Sequence, residues 1–534
     1  MKRIGLVLAV LLVAGAMVFG GGSSQPATPT LPSTTTVTVE MFDRGSDGGR
    51  SLAHDNAWTR WIQEKVKKDI GIDVTFQPVG RWTEQDDIVN LMASGSAPDL
   101  CYSYNTGMIG TFRDLGGVMD LAPYIDKYLP DLKKLLGDDP AYPGKDFIYR
   151  DQIQQNQGSL KAGQIFSIPN MRVSLAQRAL FIRKDWLDKL GIAVPTNLNQ
   201  YYAALTAFRA RATELPGNLT QARVVPLGIN EDTRWGLADF MDDSIRTNLS
   251  DRERWINVVA ERNHALPGYK EGVRLMNKWY NERLLYQDFP LMTVTDDFYN
   301  QIKSGVVGSF LQNWDLPYRT DYNINAELAR NVPNASFIPI DIGLRNRQTF
   351  DKPGLRMYIP SFSKNQEAAL KYLNWLSKYE NYHYLQVGEA GRNHTLVNGV
   401  PRTDPRPAGD PWFMNSSNNV DITMPLNGVL METMEQSIRV LALSYGTTPA
   451  DTIVNAYNTS IKNARAPVVT QYTPQVNQYT NTLADKSKAM LAQSIRAPTA
   501  QFDSVYDAAY RDWLASGAQE VINERSTLWP ANRR

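Results

Sequence analysis

The chain has 534 residues, 56 Lys and Arg against 55 Asp and Glu, four His and one Cys, for a formal charge of +1. That length implies roughly three to four domains or lobes, and the balanced charge argues against a dedicated nucleic-acid binder, which would need a cationic excess. The lone Cys101 excludes an internal disulfide and a multi-Cys zinc or iron–sulfur site.

Lys2 and Arg3 precede an apolar run, Ile4 to Phe19, followed by small residues. A basic start, a short apolar stretch and small residues predict a secretory signal peptide over 1–20, since the run falls short of the ~20 residues that span a bilayer. Cleavage is expected at Ala14-Gly15-Ala16 or after Gly20, and loss of Lys2 and Arg3 leaves a mature charge of −1. No Cys follows the run for lipid attachment, so the expected location is periplasmic or secreted, with the mature chain released. Residues 21–36, rich in Pro, Ser, Thr and Gly, predict a flexible linker, with folding starting near Thr36.

Alternation of Val37, Val39 and Met41 predicts a strand over 36–41. Trp58, Trp61, Ile62, Val66 and Ile70 form one face of a helix that Gly71 would cap. A strand over 72–79 and a helix containing Ile88, Leu91 and Met92 follow, then Gly95 and a short apolar segment after Pro98-Asp99. Strand–helix–strand repetition implies a parallel sheet in an α/β fold, with ligands bound beyond the carboxyl ends of its strands. Further on, the pattern predicts helices over 180–190, 198–211 and 271–285 and strands over 224–229 and 306–311. The last third reads as mostly helical and polar, and no fixed-period repeat is present.

Several segments, in order, resemble the extracellular solute-binding proteins (family 1) of bacterial ABC importers, in the large and mostly lipoprotein branch associated with sugars and oligosaccharides. They are IVNLMASGSAPDL (88–100), GGVMDLAPYIDKYLPDLKKLL (116–136) and IFSIPN (165–170) with RALFIRKDWLDKLGIAVPTNLNQYYAALTAFR (178–209). IKSGVVGSFLQNW (302–314), SKNQEAALKYLNWL (363–376) and GEAGRNH (388–394) continue the series. The resemblance implies a two-lobe periplasmic-binding-protein fold of type II, the Venus-flytrap form, with hinge crossings and a helical C-terminal region. It places lobe one at 37–170 plus 350–400 and lobe two at 171–349 plus 401–534. It also implies a cleft between the lobes with a carbohydrate ligand, most simply an oligosaccharide, held in it, ABC permease subunits in the inner membrane as partners, no nucleic acid, and a monomer.

Trp and Tyr (12 and 25) outnumber the 17 Phe, and flat apolar rings with polar edges suit the faces of pyranose sugars. Trp82, Trp235 and Trp314 follow predicted strands among polar residues and are the expected stacking faces, whereas Trp61 and Trp375 lie on helical stripes and belong to the core. Asp43, Arg44, Tyr104, Asn105, Asp315 and Arg392, with Asn393, are the expected polar partners for sugar hydroxyls. Arg178, in the crossing segment, reads as either a ligand or a structural hinge residue.

No G-x-x-x-x-G-K-[ST], H-E-x-x-H or G-x-S-x-G occurs, and the four His are scattered. No catalytic residues, cofactor or metal site are therefore expected. Oligosaccharide-binding relatives often carry an acidic calcium loop after the second-lobe Pro-Thr helix. Here the corresponding stretch, 213–227, has Glu214 as its only carboxylate, too few charged oxygens for calcium. The alternatives are a secreted glycoside hydrolase, which would use similar Trp platforms with two carboxylates, and a ligand sensor for a receptor.

Overall fold

A computed structural model describes residues 30–43, 52–81, 83–137, 148, 164–292, 296–319, 322–403, 421–446, 448–468 and 473–528. The predicted signal peptide, Arg44, Trp82 and Trp529 lie outside them. The ordered body begins earlier than Thr36: Leu31, inside the expected linker, is buried in the first core.

The opening βαβ unit is as the alternation implied. β1 (Thr36–Asp43) pairs in parallel with β2 (Asp73–Gly80), with Val37 opposite Val74 and Val39 opposite Phe76. Between them runs α1 (Ala57–Ile70). Asn56 caps its first turn by accepting hydrogen bonds from the Trp58 and Thr59 amides at 2.9 and 3.1 Å, and Gly71 ends it at φ 72°. Its Trp58, Ile62 and Val66 enter the core. Trp61 is only half-buried and stacks on Tyr384 at 4.4 Å, whereas Trp375 is fully buried. α2 (Glu84–Ser94) leads to β3 (Cys101–Ser103), which α3 (Thr106–Asp114) follows. Leu100, just ahead of β3, bridges to Val39 of β1 in parallel.

The four-stranded sheet that holds β3, which the Leu100–Val39 bridge joins to the β1–β2 pair, takes its other strands from distant parts of the chain. β4 (Ile168–Arg172) and β9 (Pro353–Tyr358) are antiparallel, and β9 also pairs antiparallel with β3. The sheet is therefore mixed, because β4 leads out to the other lobe and β9 returns from it, with no local crossover helix between them.

The second sheet has the order β6-β7-β5-β8, built from β5 (Arg178–Arg183), β6 (Val225–Gly228), β7 (Val307–Asn313) and β8 (Phe337–Ile340). Every residue of β5 is buried. The helix expected over 180–190 starts at Lys184 instead, because RALFIR is buried on both faces and such a run has no period to tell strand from helix. The helix Leu198–Ala210 matches its predicted position, and the helix predicted over 271–285 runs Tyr269–Asn281, ending four residues early.

β10 (Thr395–Val397) and β11 (Val400–Arg402) form a hairpin on Asn398 and Gly399, both at positive φ, the geometry that favours an Asn-Gly turn. β12 (Leu426–Asn427) then pairs in parallel with β4. Ile422 and Met424 sit in the first core, so 421–427 packs with lobe one, not with lobe two as the assignment of 401–534 implied. The long C-terminal helix Pro474–Arg496 does pack on the second lobe. Asn277 donates to the carbonyls of Ser494, Ile495 and Ala497 at 3.0, 3.1 and 2.7 Å, which satisfies groups that a helix end leaves unpaired. Where the last helices turn, Gly517 at φ 119° presses on Tyr479, and a Cβ there would lie 2.3 Å from its ring.

Candidate functional site

Two crossings of the chain lie side by side between the two sheets, bonded to the segments at Asn427 and Arg465. Val173–Gln177 joins β4 to β5, and Asp341–Lys352 joins β8 back to β9. The Phe350 amide donates to the Leu175 carbonyl at 2.8 Å, the Val173 amide to Asn427 at 2.9 Å, and the Thr349 amide to Arg465 at 3.0 Å. These bonds tie the crossings into a hinge.

A cavity of about 470 Å³ opens beside this hinge. Its first-lobe wall includes Tyr104 and Thr106, at the carboxyl end of β3, with Gly354 and Arg356 on β9. Its second-lobe wall includes Trp235, on the one-turn helix Thr233–Gly236 beyond β6, with Asp242 and Arg254. Gln348 to Asp351 and Arg465 supply the hinge side. A location beyond strand carboxyl ends follows the general rule for α/β sheets.

Aromatic rings and guanidinium groups alternate across this space. Arg81 lies 4.9 Å from the Tyr104 ring, and Arg172 lies 5.7 Å from Tyr104 and 4.6 Å from Phe350. Phe350 stacks on Trp235 at 6.2 Å, and Arg178 lies 4.7 Å from Trp235. This ladder runs from the first lobe through the hinge to the second.

Six arginines line the cavity against three carboxylates, Asp242, Glu261 and Asp351. Arg178 is neutralised: its Nε and Nη2 donate to Asp239 at 3.0 and 2.8 Å, and Arg347 lies 3.4 Å from the other oxygen of that carboxylate. Ser460 donates to the Arg178 carbonyl at 2.7 Å. Arg178 is thus a structural hinge residue that also faces Trp235. Asp242 accepts from Asn263 at 2.8 Å. Burial pushes its carboxyl up to about 7, against the opposing effects of that hydrogen bond and of Arg178.

Among the expected site residues, Tyr104 and Trp235 line the cavity; the others that fall within the described residues do not. Asp43 is exposed at the end of β1, where its carbonyl accepts from the Arg81 amide at 2.9 Å. Asn105 caps α3, accepting from the Met108 amide at 3.0 Å. Trp314 is 5% exposed and meets Tyr457 edge-on at 5.3 Å in a second-lobe core. Asp315 is buried and accepts from the Tyr445 hydroxyl at 2.6 Å. Arg392 is exposed, 3.9 Å from Glu389. Asn393 turns inward to accept from the Glu389 amide at 2.9 Å. Glu214 is held by Arg211.

Sequence reasoning missed Arg172, Phe350, Asp242, Arg254 and Arg465. Arg172 and Phe350 carried a usable signal, since each flanks a crossing that the family landmarks had located. The others sit on loops or short helices whose positions depend on tertiary packing.

The sequence profile described as bacterial extracellular solute-binding protein matches residues 51–382. Lipoprotein LipO of Bacillus subtilis (strain 168) is 23% identical over 482 residues, covering 86% of this chain and 87% of that protein. The fructooligosaccharide ABC transporter substrate-binding protein FusA of Streptococcus pneumoniae serotype 4 is 25% identical over 242 residues, 42% of this chain and 41% of that one. Among solved structures, alginate-binding protein AlgQ2 without calcium ion superposes with a TM-score of 0.59 at 18% identity, covering 92% of this chain and 97% of its own. The S. pneumoniae FusA EF-hand mutant in complex with fructo-nystose gives 0.60 at 15% identity, covering 92% and 98%. With its two sheets, its hinge crossings and this match over most of its length, the chain belongs to the bacterial extracellular solute-binding proteins and has their two-lobe fold.

Proposed function

We propose that the protein captures a carbohydrate, an oligosaccharide, in the cavity beside the hinge and delivers it to the membrane permease of an ABC importer. The observation that carries this reading is the ladder Tyr104, Arg172, Phe350 and Trp235, which presents ring faces and N–H donors from both lobes to one space. Ring faces suit the C–H surfaces of sugars, and guanidinium groups donate to their oxygens. A ligand touching both walls favours whichever lobe arrangement brings them together, the hinge closure on which periplasmic binding proteins serve as the standard example. Similarity to FusA, a fructooligosaccharide ABC transporter substrate-binding protein, and to YtcQ of Bacillus subtilis, a polygalacturonan/rhamnogalacturonan-binding protein, supports the same ligand class.

In this reading the chain does no chemistry on its ligand, needs no cofactor or nucleic acid, and acts as a monomer. Export by the N-terminal apolar segment places the mature protein outside the inner membrane. Among the described residues, no helix is long and apolar enough to cross a membrane.

A thermal-shift screen of the mature protein against an oligosaccharide library tests the reading. A ligand at about a hundredfold excess over its dissociation constant stabilises by roughly 2.7 kcal/mol. Small-angle scattering on the same mixture should show compaction. Steady release of sugar fragments over many turnovers would instead identify a glycoside hydrolase.

A further inference from the structure

Three of the cavity arginines have no carboxylate partner. Among the described residues Arg172, Arg254 and Arg465 make no ion pair, and each has a buried nitrogen without a hydrogen-bond acceptor: Nε of Arg172, Nη1 of Arg254 and Nε of Arg465. Arg254 is 4% exposed, and its other terminal nitrogen donates to Asn346 at 3.1 Å. All three line the same space. A buried guanidinium without an acceptor is unfavourable, and the usual remedy is the one applied to Arg178, a carboxylate against its fork.

We infer that the ligand supplies the missing acceptors: the saccharide bound here is anionic, with carboxylate groups of uronic acid units set against Arg172, Arg254 and Arg465. The inference rests on the carbohydrate reading above and narrows it to an acidic class.

The electrostatics of the free cavity point the same way. Burial lowers the pKa of all three arginines. That of Arg465 falls to about 10, with the charge of Arg254 as the next cause after burial. Arg465 thus feels the charge of Arg254, and Arg172 that of Arg356, with each group partly withdrawn from water, a state that an incoming anion relieves. Asp351 acts on Arg172, and Asp242 and Asp251 act on Arg254 and Arg465, but none of them forms an ion pair with these arginines, and burial raises Asp242 itself to about 7. Neutral hydroxyls accept from guanidinium groups too, but they bring no opposite charge and no second oxygen for the bidentate fork that a carboxylate fills. Planar carboxylates and tetrahedral sulfates both fit an arginine fork, and the experiment separates them.

The full-length mature protein is mixed with trisaccharides of galacturonate, mannuronate and guluronate, their carboxyl-reduced neutral counterparts, and sulfated neutral trisaccharides, and the bound fraction is read by native mass spectrometry. The expected result is retention of a uronate trisaccharide over its reduced counterpart by about tenfold or more, with a preference that shrinks as salt is raised. Retention of neutral trisaccharides alone overturns the acidic assignment and leaves the carbohydrate reading standing. Retention of sulfated sugars alone overturns the uronate assignment. Retention of none removes the carbohydrate reading beneath it. Arg172→Gln and Arg465→Gln should each weaken uronate binding by about tenfold, with the thermal midpoint of the free protein unchanged or raised. Arg172→Lys, which keeps the charge and loses the fork, should fall between. A lowered midpoint with unchanged uronate affinity would make these arginines structural and sink the proposal.

Discussion

Arg172 and Arg178 stand at the two ends of one crossing, six positions apart, and the fold treats them in opposite ways. Arg178 opens β5 with Asp239 against its fork and with Ser460 bonded to its carbonyl. Arg172 closes β4 with the ring faces of Tyr104 and Phe350 beside it and a buried Nε left without an acceptor. The second-lobe end is a finished electrostatic joint, and the first-lobe end is an incomplete one. The charge of Arg178 is neutralised within the protein; that of Arg172 is left for a guest.

The largest expected effect comes from breaking the finished joint. Asp239→Ala strips the carboxylate from both Arg178 and Arg347 in a buried setting, and removing one partner of a buried pair costs about 3–5 kcal/mol. Urea denaturation measures this. Arg172→Ala, at the unfinished end, should change stability by less than about 1 kcal/mol. Equal losses at the two ends would erase the distinction. Trp314→Ala belongs to the same upper range, about 3–5 kcal/mol for emptying a core aromatic site, because Trp314 is 5% exposed against Tyr457. Its ligand affinity, measured on the folded protein, should stay unchanged.

Trp314 and Trp235 also show what the sequence could disclose. Each follows a strand and sits among polar residues, and that placement is real: β6 ends at Gly228 and β7 at Asn313, just ahead of the two rings. The face each ring takes is set elsewhere. The Trp235 amide donates to Asp232 at 3.2 Å within a one-turn helix that brings the ring to the hinge. The Trp314 amide donates to the Gln177 carbonyl at 3.3 Å and its ring enters the core. The opening strands and the capped helices were legible because they depend on local period and caps. The crossings came from the order of the family segments, and the fully buried β5 had no period to mark it. The charge pattern of the cavity was not legible, because Arg178 meets Asp239 across 61 positions and Arg254 meets Asn346 across 92. Nothing local marks which of 56 basic residues will lack a partner.

A smaller effect sharpens the contrast through Asp242, which feels both the paired Arg178 and the unpaired Arg465. Its folded carboxyl is raised from 3.8 to about 7, with burial as the leading cause. Between these values the folded chain holds a proton that the unfolded chain has released, so this group's contribution to stability is present below pH 4 and is lost as the pH climbs to 7. His264 acts in the opposite sense. Burial holds its ring down at about 3, so its contribution is lost as the pH falls from 6.5 toward 3. Urea midpoints of wild type and Asp242→Asn across this range, taken as a difference, cancel the histidine. The gain of the variant over wild type should grow from near zero at pH 4 to on the order of a few kcal/mol at pH 8. A flat difference would mean that Asp242 stays ionised beside its arginines.

The smallest expected effect falls on binding alone. Trp235 stacks on Phe350 at 6.2 Å and is only half-buried, while Arg178 beneath it keeps Asp239 whether or not the indole is there. Trp235→Ala should therefore weaken saccharide binding by about 0.5–1.5 kcal/mol, the scale of one ring contact, and Trp235→Phe should recover most of that loss. Calorimetric titration with the retained trisaccharide measures both. If Trp235→Ala bound as tightly as wild type, sugar stacking would have to reside on Tyr104 and Phe350, and the second-lobe wall would be left with a purely structural role at this position. Because the same substitution leaves the Arg178–Asp239 joint intact, a loss of affinity without a loss of stability separates the guest-facing surface from the frame that carries it.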